Sequence, residues 1–244
     1  MKAMIFAAGL GTRLKPLTDV MPKALVPVGG KPMLERLILK LKASGFDEVV
    51  INIHHLGRQI TDFLEANNNF GITIHISDES KYLLDTGGGL KQAAPLLGGG
   101  EPFLVHNADI LSDVDLTALY RSHDPARAMA TLLVSNRTTS RYLMFDRENK
   151  LCGWHNRDTG EVKSYFPDLS ANQYNEYAFG GIHVMSADIF NRMEEWTGKF
   201  SIIDFYISAC VKSRIVARFV PGISLFDAGT PEAIEAARKQ LKLT

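Results

Sequence analysis

The chain has 244 residues, 45 % hydrophobic and 22 % charged, the balance of a globular protein long enough to bury a core without staples. Its 27 Lys and Arg match its 27 Asp and Glu, so the net charge is zero, which argues against bulk nucleic-acid binding and leaves room only for a local basic pocket. Two cysteines, Cys152 and Cys210, lie far apart without a CxxC, so neither a metal framework nor a disulfide scaffold is expected and both thiols read as reduced. The first apolar stretch is too short for a secretion signal, and no run nears the ~20 apolar residues of a membrane span. The chain is therefore expected in the cytoplasm, with no membrane or nucleic-acid partner, as a monomer or small homo-oligomer.

Residues 3–8 are uniformly apolar and predict a buried strand emptying into Gly9-Leu10-Gly11. Residues 33–43 place Leu34, Leu37, Ile38 and Leu41 at helical spacing, and Gly45 closes that helix. A strand at 48–53, a helix at 57–66 and a strand at 72–76 follow, then a helix at 88–97 opening from a glycine turn. A strand at 102–105 runs into Asn107-Ala108-Asp109, ahead of a helix at 114–123 and a strand at 128–134. Such alternation implies an α/β fold with parallel strands and right-handed crossovers, whose ligands sit outside the strands' carboxyl ends. From about residue 140 the segments shorten: 142–145, 151–155 and 162–165 read as antiparallel hairpins, and 177–185 as a strand carrying Gly180-Gly181. Ser201 is placed to cap a helix at 202–211, with Asp204 at the reciprocal position of a capping box. Late strands are expected at 215–220 and 223–226, and Thr230 with Pro231 opens a last helix. Absence of a linker or repeat predicts one domain, 1–244, with a β-rich insertion.

Gly9-Leu10-Gly11-Thr12-Arg13 at a strand end, with Lys23 beyond it, is a combination suited to a polyphosphate. Bare backbone approaches phosphate oxygens closely, Arg13 offers a planar fork and Lys23 a mobile point charge. Neither a P-loop nor a dinucleotide fingerprint is present: Leu14 stands where the third glycine of GxGxxG would be. Pro16, Pro22, Pro27 and Pro32 stiffen the segment. Gly87-Gly88-Gly89 reads either as a flexible turn or as bare backbone against a nucleotide base, and Gly180-Gly181 either as a bulge or as a close approach to a ligand.

Residues 7–28, AAGLGTRLKPLTDVMPKALVPV, resemble the N-terminal signature xAAGxGTRLxPLTxxxPKxLxPV of the sugar-1-phosphate nucleotidyltransferases. The resemblance implies a Rossmann-like, mixed but mainly parallel sheet flanked by helices, with a small β-rich sugar-binding insertion. The nucleotide-binding half would be 1–135, the sugar-binding half 136–230 and the C-terminal helix 231–244. It implies an enzyme that joins a nucleoside triphosphate to a sugar 1-phosphate and releases pyrophosphate. Arg13 would grip the triphosphate and Lys23 a phosphate near the reacting centre. Ala8, Gly9, Gly11, Thr12, Thr86, Gly87, Gly88 and Asn107 would line the nucleotide site, with Glu79 accepting a base N–H. Asn175, Glu176, Gly180 and Gly181 would line the sugar site. Asn107-Ala108-Asp109 and Phe226-Asp227-Ala228-Gly229-Thr230 resemble the family's metal motifs, making Asp109 and Asp227 the expected Mg²⁺ ligands. An all-oxygen donor set suits that ion, which takes one or two carboxylates beside phosphate oxygens.

The form Leu84-Asp85-Thr86-Gly87-Gly88-Gly89-Leu90-Lys91 looks like that of uridylyltransferases acting on N-acetylmuramate 1-phosphate, and of some guanylyltransferases. UTP and that sugar phosphate are thus the expected substrates. The alternatives are GTP with mannose- or heptose-1-phosphate, CTP with a phospho-alcohol, or a non-catalytic nucleotide-sugar sensor. A sensor predicts erosion of Arg13, Lys23, Asp109 or Asp227, and all four are present. One departure stands out. Better-known relatives carry a Glu-Lys-Pro segment whose Lys meets the sugar phosphate, whereas this chain has Trp154-His155-Asn156-Arg157, leaving Arg157 or Lys163 for that grip.

Overall fold

The structure, a computed structural model, describes residues 1–166 and 174–240. Its first part runs β1 (Lys2–Phe6), β2 (Pro27–Val28), β3 (Lys31–Pro32), α1 (Met33–Ala43), β4 (Glu48–Ile53), α2 (Gly57–Ala66), β5 (Thr73–Asp78), α3 (Asp85–Gln92), α4 (Ala94–Leu97), β6 (Phe103–Asn107), β7 (Ile110–Ser112), α5 (Leu116–Arg121) and β8 (Ala130–Ser135). The second runs β9 (Arg141–Phe145), β10 (Leu151–Asn156), β11 (Glu161–Lys163), β12 (Asn175–Met185), α6 (Ile189–Arg192), α7 (Ile202–Ala209), β13 (Ile215–Phe219), β14 (Leu225–Asp227) and α8 (Pro231–Gln240).

Strands β5, β4, β1 and β6 lie side by side and parallel. β12 joins β6 antiparallel, and its other edge takes β8, to which β13 adds in parallel. The amino end of β12 swings away to pair with β9, which continues through β10 to β11 as an antiparallel extension. The mixed sheet of the expected fold is therefore present, and its β-rich addition is held by one long strand.

The alternation along β1 explains the layering. Ala3 and Ile5 face a cluster with Leu34, Leu37, Ile38 and Leu41 of α1 and Ile60 and Leu64 of α2. Met4 faces the opposite cluster, with Leu90 of α3 and Phe205 and Tyr206 of α7. Both faces of a parallel sheet are covered in this way, and each buried large apolar side chain contributes about 1.5–3 kcal/mol.

The structure departs from the sequence reading at several places. β1 ends at Phe6, because the Ala7 amide donates to Asn52 Oδ1 at 2.7 Å and leads the chain into the loop. The helix expected at 88–97 starts at Asp85, so all three glycines lie inside α3, and α4 restarts at Ala94 with Pro95 in its first turn. Ser201 does cap α7, accepting from the Ile203 amide at 3.1 Å, but Asp204 does not complete a capping box; it accepts from Lys163 Nζ at 3.0 Å. The Thr230 cap holds α8 through the Ala233 amide at 3.3 Å, and residues 241–244 of the expected last helix lie outside the described residues. No helix among the described residues is long and apolar enough to cross a membrane.

Candidate active site

The glycine loop leaves the carboxyl end of β1 and closes on itself. Gly11 has φ +66°, and a Cβ there would meet Thr18 Cγ2 at 2.7 Å and Lys23 Cβ at 3.0 Å. Thr18, 1 % exposed, donates its hydroxyl to the Gly11 carbonyl at 2.8 Å. Only glycine fits both the left-handed backbone and that contact. The loop thereby delivers Lys23 to the crevice floor, where its ammonium pairs with Asp109. Beside it, Arg13 Nη2 lies 3.3 Å from Asp227 Oδ1. Gly229 stands directly against the guanidinium, where any side chain would collide with it.

Two short strands bring the carboxylates together. β7 and β14 pair antiparallel with Asp227 opposite Ile110, and the Ala228 amide donates to the Asp109 carbonyl at 2.8 Å. Asp109 and Asp227, 118 positions apart in the chain by their numbers, thus stand on adjoining clefts that share Arg13 and Asn107, Asp109 on the glycine-loop side and Asp227 on the hairpin side. Gly9, Gly11, Thr12, Thr86 and Asn107 complete a cleft of about 300 Å³ with Arg13, Lys23 and Asp109.

A second cleft of about 310 Å³ adjoins it, reached by Ala8, Leu10, Thr12, Asn52, Glu79 and Thr86. Its wall is braced by a buried relay. Asn52, 3 % exposed, accepts from the Ala7 amide and donates to Glu79 Oε1 at 2.7 Å, while Glu79 Oε2 accepts from the Leu84 amide at 3.0 Å. Burial pushes the Glu79 carboxyl up from its ordinary value, against the opposing hydrogen bonds from Leu84 and Asn52. Both Glu79 oxygens are engaged inside the protein, so Glu79, expected to accept a base N–H, braces the wall of the cleft that it lines.

The glycines of α3 also sit differently from expectation. A Cβ on Gly87 would strike the Phe200 ring, one on Gly88 the Gly198 carbonyl, and one on Gly89 the Glu79 carboxylate. The Gly87 and Gly88 amides donate to the Phe200 carbonyl at 2.9 and 3.2 Å. Gly87 and Gly88 are therefore packed under the segment before α7 instead of lying open to a base; from this motif Asp85 and Thr86 reach the clefts.

On the hairpin side a third cleft, about 590 Å³, opens next to Arg13, Asn107 and Asp227. Gly181, φ +69°, lies at a register break between β12 and β8 and borders this cleft; a Cβ there would meet Asn107 Nδ2 at 2.9 Å. The bulge reading of the double glycine holds, and the close approach seen is to the Asn107 side chain at the cleft edge. Gly180 packs on the Leu133 carbonyl instead. Asn175 starts β12, exposed, opposite Phe145, away from the cleft lining. Glu176 is engaged: His155 Nδ1 and Arg157 Nη2 both lie 2.6 Å from its oxygens. Burial opposes its ionisation, but those two hydrogen bonds outweigh it and hold the carboxyl below its usual value. The cations proposed for the sugar phosphate are engaged too, Arg157 over the Tyr142 ring at 4.5 Å and Lys163 with Asp204.

The nucleotidyl transferase family model matches residues 2–241. The chain belongs to that family. Among its relatives, N-acetylmuramate alpha-1-phosphate uridylyltransferase of Neisseria meningitidis is 41 % identical over 198 residues, covering 80 % of this chain and 79 % of the relative. The like-named protein of Caulobacter vibrioides is 31 % identical, covering 98 % and 96 %. In fold, a Bacillus anthracis protein described as a glucose-1-phosphate thymidylyltransferase superposes with a TM-score of 0.80 at 21 % identity, covering 98 % of this chain and 94 % of that one.

Asp109 and Asp227, brought next to each other by the β7–β14 pairing and the Ala228–Asp109 backbone bond, supply oxygen donors only, and no group of three or more candidate ligands occurs among the described residues. That set fits Mg²⁺, which completes its octahedron with phosphate oxygens and water. Sequence reasoning missed Arg137, Arg141 and Lys199, which line the clefts. The signal for the arginines was two cations four positions apart in the polar connection Asn136-Arg137-Thr138-Thr139-Ser140-Arg141, which alone reads as a solvated loop.

Proposed function

We propose that this nucleotidyltransferase moves the uridylyl group of UTP onto N-acetylmuramate 1-phosphate with Mg²⁺, releasing pyrophosphate, in a cytoplasmic step that salvages a cell-wall sugar. The observation that carries the reading is the meeting of Lys23–Asp109 and Arg13–Asp227 between a cleft braced by Asn52–Glu79 and a larger one on the hairpin side. The relatives' names supply the choice of uridylyl and of this sugar.

A sugar phosphate is already ionised near neutral pH, so its oxygen attacks the α-phosphorus without a general base. One P–O bond forms to that oxygen, the α–β bridging P–O bond breaks, and the electron pair leaves on pyrophosphate. Catalysis is then mainly alignment and charge neutralisation. Gly9 and Gly11 let the triphosphate approach the backbone, and Arg13 and Lys23 neutralise charge on either side of the reacting phosphorus. Asn52 fixes Ala7 and hence the loop's starting point. Mg²⁺ on Asp109 and Asp227 would supply further charge neutralisation, in competition with their present pairing to Lys23 and Arg13. Pyrophosphate release measured over UTP, GTP, CTP and dTTP with N-acetylmuramate, N-acetylglucosamine, glucose and mannose 1-phosphates tests the assignment. UTP with N-acetylmuramate 1-phosphate is expected to give the highest kcat/KM; a guanylyl preference for mannose 1-phosphate would overturn it.

A further inference from the structure

The hairpin-side cleft holds more positive charge than one sugar phosphate requires. Arg13 is matched there by Asp227 at 3.3 Å. Arg137 and Arg141 line the same cleft and form no ion pair among the described residues. Arg137 spends one Nη2 hydrogen on the Phe179 carbonyl at 3.3 Å, and its buried Nε has no partner. Arg141 opens β9, opposite Asn156, which sets the base of its side chain on a regular strand. Between the two arginines, Thr139 and Ser140 add hydroxyls to the same wall. Neighbouring cations are treated differently: Arg157 is neutralised by Glu176 and Lys163 by Asp204. In a chain of zero net charge, two guanidinium groups on one cleft with no carboxylate partner among the described residues are a specific arrangement.

A neutral sugar 1-phosphate brings one anionic group, and that group must meet the α-phosphorus beside Arg13 and Lys23. The wall of Arg137 and Arg141 belongs to the hairpin side, whereas Lys23 and Asp109 border only the glycine-loop cleft. We infer that Arg137 and Arg141 form a carboxylate subsite, which selects sugar 1-phosphates bearing a second anionic group on the ring. The inference rests on the nucleotidyl-transfer reading and deepens it: the donor atoms are planar forks suited to a carboxylate. A neutral sugar gives the buried Arg137 Nε and the Arg141 fork no anionic partner, so the cleft favours the acidic sugar over it.

The test compares N-acetylmuramate 1-phosphate with N-acetylglucosamine 1-phosphate, the same ring without the lactyl carboxylate, using UTP and the full-length enzyme. The wild type is expected to prefer the acidic sugar by on the order of 10²-fold in kcat/KM, the value of a charge-assisted hydrogen-bonded pair. Arg137→Gln and Arg141→Gln should each shrink that ratio by about 10-fold or more, mainly through KM for the acidic sugar, and Arg137→Lys should restore part of it. Arg141 is exposed, so its variant keeps the test readable if Arg137→Gln folds poorly. An equal loss for both sugars would assign the arginines to the phosphate or to loop structure and overturn the subsite, as would a wild type without preference. Failure of the wild type to couple either sugar to any nucleotide would overturn the transfer reading itself, and the subsite with it.

Discussion

Asn52→Ala is the perturbation that probes the crevice wall most sharply. Asn52 is 3 % exposed and Glu79 2 %, and the amide makes two 2.7 Å hydrogen bonds, one from Ala7 N–H and one to Glu79 Oε1. Truncation leaves a buried N–H and a buried carboxylate oxygen without partners, at about 1–3 kcal/mol each, so a loss of ~2–6 kcal/mol follows. That is a large share of the ~5–15 kcal/mol that holds a domain together. Urea unfolding at neutral pH reads it as a lower midpoint. The same variant carries a pH signature. Burial raises the Glu79 carboxyl above its unfolded value, so the folded state holds that proton more tightly than the unfolded chain does. Glu79's contribution is therefore fully present below the unfolded value and is lost as pH rises through the raised folded one. Removing the Asn52 donor raises the carboxyl further, so the deficit of Asn52→Ala should widen from acid toward neutral pH. A deficit under about 0.5 kcal/mol would refute the relay, since surface changes alone reach that size; so would a deficit that does not change with pH.

Lys23→Ala and Asp109→Ala should each lower kcat by ~10²-fold or more while leaving the circular dichroism spectrum intact, the size expected for loss of a preorganised charge at the reacting phosphorus. Gly89→Ala would set a Cβ against the Glu79 carboxylate and 2.9 Å from Asn52 Nδ2; the overpacking should cost about 1–3 kcal/mol in a urea titration. Cys210 is fully buried and burial pushes its thiol up to about 12, so a thiol reagent at neutral pH should label it only as the chain unfolds, which mass spectrometry across a denaturant series will follow.

The parts legible in the sequence are those whose physics is local. The strand into Gly9–Arg13, the α1 face of Leu34, Leu37, Ile38 and Leu41, and the Thr230 and Ser201 caps all announce themselves through neighbours a few positions away. What was misread depended on distant partners. A run of three glycines looks like a loop, yet Phe200, Gly198 and Glu79 crowd α3 until only hydrogen fits at those positions. Glu176 looks free to meet a sugar until the hairpin brings His155 and Arg157 onto it. Arg137 and Arg141 look like parts of an ordinary polar loop until β12 and β9 bring them onto the lining of one cleft. Asp109 and Asp227 could be nominated individually at strand ends, but their adjacency depends on the β7–β14 pairing.

The most direct test of the central claim is ³¹P NMR of the purified enzyme with UTP, Mg²⁺ and N-acetylmuramate 1-phosphate. The account predicts that the sugar-phosphate resonance is replaced by the paired diphosphate signals of a UDP-sugar, with pyrophosphate appearing in equal amount. Persistence of the sugar-phosphate signal while UTP is hydrolysed, or coupling only when GTP replaces UTP, would contradict it.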